Sequence, residues 1–285
     1  INFAPRLCAA ILKDNFVMSL EDTLRQINDD ISNGVSNFLL FISSKNKSLD
    51  SFNLSFHEKV ISSIKDEFKD NINLWTDVCL CSLTDHGHCC LFDKDNSINI
   101  DKTLDEISKV ALTYAEAGAD IIAPSDMMDG RTLKIREVLD GLNFSMIPII
   151  SYSTKFSSNF YGPFRNALGG EITVDSGKKS YQMDPSNTNE ALRNIARDIN
   201  EGSDMIIIKP GGYYLDICFR AKEAFGIPTF AYQVSGEYSM IKDSISKGWL
   251  SKDEAIIESL TCFKRAGCDG ILTYFAPMGA EALLK

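Results

Sequence analysis

The stretch EGSDMIIIKP, residues 201–210, places a glycine and an aspartate directly before a run of four apolar residues. Glycine is favoured just past the end of a helix, where the backbone turns left-handed, and a short apolar run is typical of a buried strand. The same Gly-x-Asp pattern, followed by apolar residues, recurs at 118–120 and 267–269. The repeat predicts several points along the chain at which a helix ends and a strand begins.

Apolar runs and amphipathic segments alternate over the rest of the chain. Eight runs are predicted to be strands: Leu7–Leu12, Asn37–Ile42, Ile72–Leu80, Asp120–Ala123, Met146–Ser151, Met205–Lys209, Pro228–Gln233 and Gly270–Tyr274. Between them lie helical patterns, the first of which Ser19 is suited to cap. Strands that alternate with helices favour a parallel sheet, and 285 residues suit a closed barrel. We therefore expect an α/β fold, a single (β/α)8 TIM barrel in which residues 1–285 form one catalytic domain.

Composition excludes several classes of partner. The net charge of −10 argues against a nucleic-acid binder, because a phosphate backbone would be repelled by the average surface. No apolar run approaches the length of a membrane span, so no membrane partner is expected. A chain of this size does not need disulfides, so its 8 cysteines predict reduced thiols and a cytoplasmic location.

The segment DVCLCSLTDHGHCC, which begins at residue 77, concentrates metal-binding side chains. Cys79 and Cys81 share one face of an extended strand, and a turn can bring Cys89 back to them. Three thiolates can hold a tetrahedral zinc ion and leave a fourth position open. The two histidines of the segment are expected to support the site rather than to bind the metal. The alternative is a set of buried structural cysteines.

One lysine ends a predicted strand and another follows one. Lys209 ends the apolar run MIIIK, and Lys155 follows IISYST. Barrel enzymes place their chemistry at the carboxyl ends of strands, and a desolvated lysine is a nucleophile toward carbonyl groups. For either lysine alone, a strand-end side chain that extends its amine to water is the alternative. Two lysines at neighbouring strand ends would each lower the pKa of the other.

Two further groups of polar and aromatic residues stand near strand ends. FYGPFR at 160–165 and KKSYQ at 178–182 belong to a long loop that is expected to act as a lid, in which Arg165 can bind a carboxylate; a solvated basic loop is the alternative. The hydroxyls of Tyr232 and Tyr274 can hold a small anion, although buried tyrosines bonded to the backbone would explain them equally.

Six strings together resemble the porphobilinogen synthase family, also called 5-aminolevulinate dehydratase. They are DVCLCSLTDHGHC at 77–89, APSDMMDGR at 123–131, SYSTKFSSNFYGPFR at 151–165, KSYQMDP at 179–185, IIKPGGYYLDI at 207–217 and AYQVSGEYSMI at 231–241. The resemblance implies a TIM barrel that condenses two molecules of 5-aminolevulinate into porphobilinogen, with loss of two waters, in haem and tetrapyrrole biosynthesis. It also implies a lyase of the hydro-lyase type, a catalytic Zn2+ and a homo-oligomer, which is an octamer in the family.

The resemblance also implies roles for individual residues. Lys209 matches the lysine that forms the Schiff base with the first substrate, and Lys155 matches the second-site lysine. The other matched positions are the zinc ligands Cys79, Cys81 and Cys89; Asp77 and Ser125 at the first substrate's amino group; Ser235 and Tyr274 at its carboxylate; Arg165, Gln182 and Lys178 at the second carboxylate; and Tyr161, Phe164 and Tyr232 as pocket walls.

Three features depart from the family pattern. Lys178 stands where the family usually has arginine, so a bidentate contact becomes a point charge. Asn194 stands where many bacterial members have a glutamate that serves an allosteric Mg2+, which argues against magnesium activation here. The N-terminal arm that drives octamer assembly is truncated or short in this chain, which leaves the octamer open.

Two other functions remain as alternatives. Another class I, Schiff-base aldolase would explain Lys209 but neither the cysteine cluster nor the second lysine. A non-catalytic metal-binding homologue would keep the cysteines without turnover.

Overall fold

The computed structural model describes residues 6–10, 18–43, 47–49, 51–167 and 177–284, and for 6–10, 166–167 and 284 it describes the backbone. The strands are β1 Arg6–Ala10, β2 Asn37–Leu40, β3 Asn73–Val78, β4 Leu91–Phe92, β5 Ile98–Asn99, β6 Ile121–Pro124, β7 Ile150–Lys155, β8 Met205–Lys209, β9 Thr229–Gln233 and β10 Gly270–Thr273. The α-helices are α1 Leu20–Ser32, α2 Ser55–Phe68, α3 Ile100–Glu116, α4 Arg131–Gly141, α5 Gly162–Ala167, α6 Asn189–Asn200, α7 Leu215–Phe225, α8 Ser235–Ser246, α9 Lys252–Arg265 and α10 Ala276–Leu284. The last two residues of the predicted first strand lie outside the described residues.

The Gly-x-Asp repeat forms the predicted junctions. Gly118, Gly202 and Gly267 have φ of +100°, +99° and +91°, a conformation that a residue with a Cβ rarely adopts. Each follows the helix that precedes a strand, so the repeat marks where α3, α6 and α9 give way to β6, β8 and β10.

The aspartate of each junction binds the start of a neighbouring strand. The Asp120 carboxylate accepts the backbone N–H of Leu74 at 2.7 Å and forms an ion pair with Lys65 at 2.8 Å. The other two junctions repeat the backbone contact, Asp204 with the N–H of Ile149 at 2.8 Å and Asp269 with the N–H of Thr229 at 2.8 Å. The repeat in sequence is therefore a repeat of one hydrogen-bonding arrangement.

The chain divides into two compact units. The first comprises residues 1–39, 158–169 and 207–285, in which β2, β1, β10, β9 and β8 are neighbours in that order, and the pairs β1–β2, β1–β10 and β10–β9 are parallel. The second comprises residues 40–157 and 170–206, in which β3 pairs with β6 in parallel and β4 with β5 in an antiparallel hairpin.

The predicted fifth strand, Met146–Ser151, is wrong in its boundaries. Met146 is 90% exposed, and the strand runs instead from Ile150 to Lys155. Its serines and threonine are buried on both faces, so the strand lacks the apolar residues that mark its neighbours. The β4–β5 hairpin was likewise not predicted, because two-residue strands carry no periodicity.

Two predictions from composition concern the state of the cysteines and the presence of membrane-spanning helices. The seven cysteines whose side chains the structure describes are free thiols, as expected. Among the described residues, no helix combines the length and the apolar character needed to cross a bilayer.

Candidate functional site

Aromatic rings surround the amine of Lys209 at the end of β8. The lysine is 7% exposed, and its Nζ lies 4.2 Å from the ring centre of Tyr232, 5.5 Å from that of Tyr161 and 5.7 Å from that of Phe164. The Tyr161 hydroxyl donates a hydrogen bond to the backbone oxygen of Lys209 at 3.1 Å. These rings limit the access of water to the amine, as expected for a lysine that reacts with a carbonyl group.

The segment that carries Tyr161 and Phe164 is fastened to the start of α8. The backbone N–H of Phe164 donates to Ser235 Oγ at 3.1 Å, and the Arg165 guanidinium lies over the Tyr161 ring at 5.4 Å. Ser235, predicted as a carboxylate anchor, therefore also holds this segment in place.

Two tyrosine hydroxyls lie together near the ends of β9 and β10. Tyr232 and Tyr274 approach to 3.5 Å between their hydroxyl oxygens. Burial raises the pKa of Tyr274 to about 12, so its hydroxyl keeps its proton at neutral pH and can donate it in a hydrogen bond. A pair of such hydroxyls suits a carboxylate ligand.

Lys155, the last residue of β7, has polar surroundings. Its Nζ donates to the backbone oxygen of Ser125 at 2.5 Å and lies 5.6 Å from the ring centre of Tyr152. Ser125 Oγ donates in turn to Asp77 Oδ2 at 3.1 Å. The structure thus brings together three residues that the sequence analysis singled out from three different strands.

The three predicted metal ligands meet. The sulfur atoms of Cys79, Cys81 and Cys89 all lie within 4.8 Å of one another, and those of Cys79 and Cys81 are 3.2 Å apart. Hydrogen bonds from Cys79 and Cys81, together with the charge of Lys178, hold the pKa of Cys89 well below its ordinary value. A cluster that already favours one thiolate is a donor set suited to a thiophilic metal ion.

Lys178 lies beside this cluster. Its Nζ is 3.5 Å from Cys89 Sγ. Burial alone would lower the pKa of Lys178, but the charges of Cys81, Cys89 and Cys79 outweigh it and raise that pKa overall. The ammonium group therefore compensates negative charge on the sulfurs, and its predicted contact with a substrate carboxylate stays a prediction.

The neighbouring histidines support the cluster from its edge. His88 Nδ1 lies 3.2 Å from the hydroxyl of Tyr181, which also accepts the backbone N–H of Cys89 at 3.2 Å. His86 Nδ1 accepts the N–H of His88 at 3.1 Å. Neither histidine belongs to the three-sulfur group found among the described residues. Tyr181 received no role in the sequence analysis, although it stands in one of the strings that carry the resemblance.

A buried ion-pair network follows Ser125 in the chain and was also missed. Arg131 is fully buried, pairs with Asp198 at 2.8 Å and lies 3.7 Å from Asp126. Arg131 also donates to the backbone oxygen of Tyr152 at 3.2 Å. The network therefore fixes the backbone at Tyr152, three residues before Lys155, and holds Asp126 directly after its partner Ser125. In the sequence, the charged residues of DMMDGR at 126–131 were the feature from which such a network could have been predicted.

The predicted site residues fall into two groups, one in each unit. The Lys209 group consists of Tyr161, Phe164, Arg165, Lys209, Tyr232, Ser235 and Tyr274, and the Lys155 group consists of Asp77, Cys79, Cys81, Cys89, Ser125, Lys155, Lys178 and Gln182. Gln182 is 6% exposed, and its Oε1 has no hydrogen-bond partner among the described residues, which leaves it available to a ligand.

Several known proteins are similar to this chain over most of its length. The sequence model of the delta-aminolevulinic acid dehydratase family matches residues 8–282. The dehydratase of that name from Rhodobacter capsulatus is 48% identical over 80% of this chain and 68% of its own length. That from Bradyrhizobium diazoefficiens is 51% identical over 79% of this chain and 63% of its own length.

A solved structure resembles the whole described chain. It is the delta-aminolevulinic acid dehydratase (porphobilinogen synthase) of Toxoplasma gondii in complex with the reaction product porphobilinogen, with a TM-score of 0.90, 37% identity, and coverage of 97% of this chain and 84% of that one. The predicted α/β class with a TIM-barrel fold is thereby confirmed. With the family model and the relatives in agreement, this chain belongs to the delta-aminolevulinic acid dehydratase family.

Proposed function

We propose that this chain is a porphobilinogen synthase, which condenses two molecules of 5-aminolevulinate into porphobilinogen with loss of two waters. The observation that carries the proposal is the position of the Lys209 amine among the rings of Tyr161, Phe164 and Tyr232. A keto acid bound through an imine needs an amine that is shielded from water, and Lys209 meets that need.

Lys209 forms the imine with the first substrate. Its amine attacks the ketone carbon, a carbon–nitrogen double bond forms, and one water leaves. The aromatic rings keep bulk water away from the imine, which would otherwise hydrolyse. Ser235 and Tyr274 bind the carboxylate of that substrate, and Tyr232 forms a wall of its pocket.

Lys155 orients the second substrate. Its hydrogen bond to the Ser125 backbone oxygen holds the amine in one place. Asp77 and the Ser125 hydroxyl receive the ammonium group of the first substrate, for which a carboxylate and a hydroxyl are suited acceptors. Holding two substrates in fixed orientations converts a bimolecular condensation into an effectively unimolecular one.

The second carboxylate binds to three polar residues. The guanidinium of Arg165 is suited to bind it through two parallel hydrogen bonds, the amide N–H of Gln182 donates another, and Lys178 contributes a point charge. Because Lys178 also lies at the sulfur cluster, it links carboxylate binding to the charge of that cluster.

Cys79, Cys81 and Cys89 would hold the metal, and we propose that it is Zn2+. The residues fit this ion, because three sulfurs lie within 4.8 Å of one another and leave a fourth tetrahedral position for a ligand. When bound, zinc supplies Lewis acidity toward an oxygen of the second substrate or lowers the pKa of a bound water. Asn194 offers no carboxylate, so we expect no allosteric Mg2+ at that residue.

One assay separates this function from its alternatives. The purified zinc-loaded protein is incubated with 5-aminolevulinate, and the pyrrole product is read by its colour with an aldehyde reagent. We expect colour from the wild type and none from Lys209→Ala. Imine trapping without pyrrole would favour an aldolase, whereas zinc binding without either would favour a non-catalytic homologue.

Three broader expectations belong to the same proposal. The chain acts as one catalytic domain in the cytoplasm, and it assembles with further copies of itself, for which light scattering of the pure protein is the direct measurement.

A further inference from the structure

A buried carboxylate joins two segments next to Lys209. Glu237 lies in the first turn of α8 and is 4% exposed. Its Oε1 accepts the backbone N–H of Gly212 at 2.9 Å and of Tyr213 at 3.3 Å, and its Oε2 accepts the N–H of Val234 at 2.8 Å. One side chain thus holds both the turn that follows Lys209 and the residue before α8.

The two glycines of that turn allow this close approach. A Cβ on Gly212 would lie 2.9 Å from Glu237 Oε1. A Cβ on Gly211 would lie 2.7 Å from the ring of Phe263 and 3.0 Å from the Cβ of Ala231. The turn is therefore pressed between the carboxylate on one side and packed side chains on the other.

The same turn also contacts the segment that covers Lys209. The ring of Tyr213 stacks on that of Phe160, with centroids 4.6 Å apart and planes 4° from parallel. Ser235, two residues before Glu237, accepts the N–H of Phe164, whose ring faces Lys209. Glu237 therefore lies where the backbone after the lysine, the covering segment and α8 are connected.

Such a carboxylate is costly to bury. Desolvation raises the pKa of Glu237 to about 7, although the backbone N–H groups of Val234, Tyr213 and Gly212 oppose that shift. An apolar side chain at this position would leave these backbone donors without acceptors, so the carboxylate satisfies a need that packing alone would not.

We propose that Glu237 is the positioning residue for Lys209, because it fixes the turn at residues 211–213 and thereby the direction in which the lysine amine meets a bound ketone. The inference rests on the proposed function, since it assumes that Lys209 forms the imine. It concerns the approach of the amine and not the binding of metal.

Trapping of a single keto acid tests the inference. The probe is 4-oxopentanoate, which has the ketone and the carboxylate but no amino group, so that it can form the imine at Lys209 and cannot complete a ring. Borohydride reduces the imine, and peptide mass spectrometry locates and times the label. Two variants are used. Glu237→Gln keeps the size of the side chain but replaces one acceptor oxygen by an NH2 group. Gly212→Ala keeps the carboxylate and adds a Cβ that would lie 2.9 Å from its Oε1.

Both variants are expected to trap the probe about tenfold more slowly than the wild type, since displacement of a reacting group by 1 Å can cost about a hundredfold. With 5-aminolevulinate, kcat falls by a similar factor while KM changes less than twofold. The double variant should be no slower than the slower single variant, because both changes disturb one contact. Glu258→Gln on the exposed face of α9 and Gly141→Ala, whose added Cβ meets nothing within 4 Å, are the matched controls and should react like the wild type.

The outcomes distinguish the inference from the function. If the wild type does not label Lys209, the proposed function is wrong. If the wild type labels Lys209 and Gly212→Ala does so at an equal rate, the inference is overturned, whether or not Glu237→Gln folds. A rate loss that matches the unfolded fraction measured by circular dichroism would overturn it as well.

Discussion

Lys209 and Lys155 occupy the same place in their strands and have opposite surroundings. The amine of Lys209 faces three aromatic rings, whereas that of Lys155 has one ring, that of Tyr152, at 5.6 Å and donates to the backbone oxygen of Ser125 at 2.5 Å. Aromatic rings limit the access of water to an amine that is to form an imine, while a backbone acceptor holds an amine in one orientation. Two lysines at the same position in their strands can therefore be given different roles in the proposed reaction, because the groups around their amines differ.

Removing each lysine in turn gives the largest expected effects. Lys209→Ala should lower kcat on the order of 10⁶-fold, the scale found when the nucleophile of a covalent enzyme is deleted. Lys155→Ala should cost less, about 10²- to 10³-fold, the scale of a lost orienting or proton-transfer group. Imine trapping with 4-oxopentanoate is the second measurement, and it should vanish in the first variant and persist in the second. If both variants lost imine trapping to the same extent, the proposal that only Lys209 forms the imine would be wrong.

Removal of the metal should abolish turnover through the Lys155 group and leave imine formation at Lys209 unchanged. We expect Cys89→Ser to lower zinc affinity by more than the roughly 10- to 100-fold that follows loss of an outer partner, because a direct ligand is removed. Competition with a chromogenic chelator measures the affinity. Turnover should stop after chelation and return with zinc but not with magnesium, which prefers oxygen ligands.

The imine provides the control for the metal experiment. Trapping at Lys209 should continue in the chelated protein, since imine formation by an amine and a ketone needs no metal ion. Full turnover by a preparation shown to be metal-free would contradict the assignment of the three cysteines.

Changes at Lys178 should produce intermediate effects on binding. Lys178→Arg should lower the apparent KM by a factor that corresponds to about 1 kcal/mol, the surplus of a charged hydrogen bond. Lys178→Ala should raise KM and, because the ammonium lies 3.5 Å from Cys89 Sγ, weaken zinc binding by about tenfold. Arg165→Ala should raise KM more than either change.

The neighbouring Lys179 supplies the matched control for residue 178. Lys179 is exposed, so Lys179→Ala should leave both KM and zinc affinity unchanged. If Lys178→Ala alters neither quantity, the residue acts on neither the carboxylate nor the sulfurs.

Cys90 should give the smallest effect. Burial first, and then the charges of Cys89 and Asp126, raise the pKa of its thiol to about 12, and Cys90 is not among the three cysteines whose sulfurs lie together. We expect Cys90→Gly to keep its zinc content and turnover within twofold and to lower the free energy of unfolding by about 1 kcal/mol through the small void. Metal analysis and thermal unfolding check the two parts, and loss of zinc would show that the cluster extends to a fourth cysteine.

Residue chemistry explains which parts of the site could be predicted from the sequence. Lysine at the end of an apolar strand and three cysteines in one short segment are unusual wherever they fall, so Lys209 and the sulfur cluster could be identified before any contact was known. The Gly-x-Asp repeat likewise located strand starts, because its glycine acts there through local backbone geometry, whereas the bond from its aspartate to the neighbouring strand is a tertiary contact.

Other residues act through contacts that sequence spacing does not contain. Glu237 binds backbone N–H groups of residues 212 and 213, which are distant in sequence, and Tyr181 does the same at Cys89. The strand β7 was misplaced because its buried serines satisfy their hydroxyls within the protein and so lack an apolar signature. Tertiary hydrogen bonds are the common reason for these omissions.

The three aspartate junctions have a consequence for hydrogen–deuterium exchange. The N–H groups of Leu74, Ile149 and Thr229 lie at or just before the beginnings of strands, where amides ordinarily fray and exchange quickly. Each is covered by a carboxylate that follows a left-handed glycine, so deuterium uptake at these three amides should be as slow as in the strand interiors. Each of these three strand starts should therefore keep its hydrogen bond even where the loop at the other end of the same strand exchanges quickly.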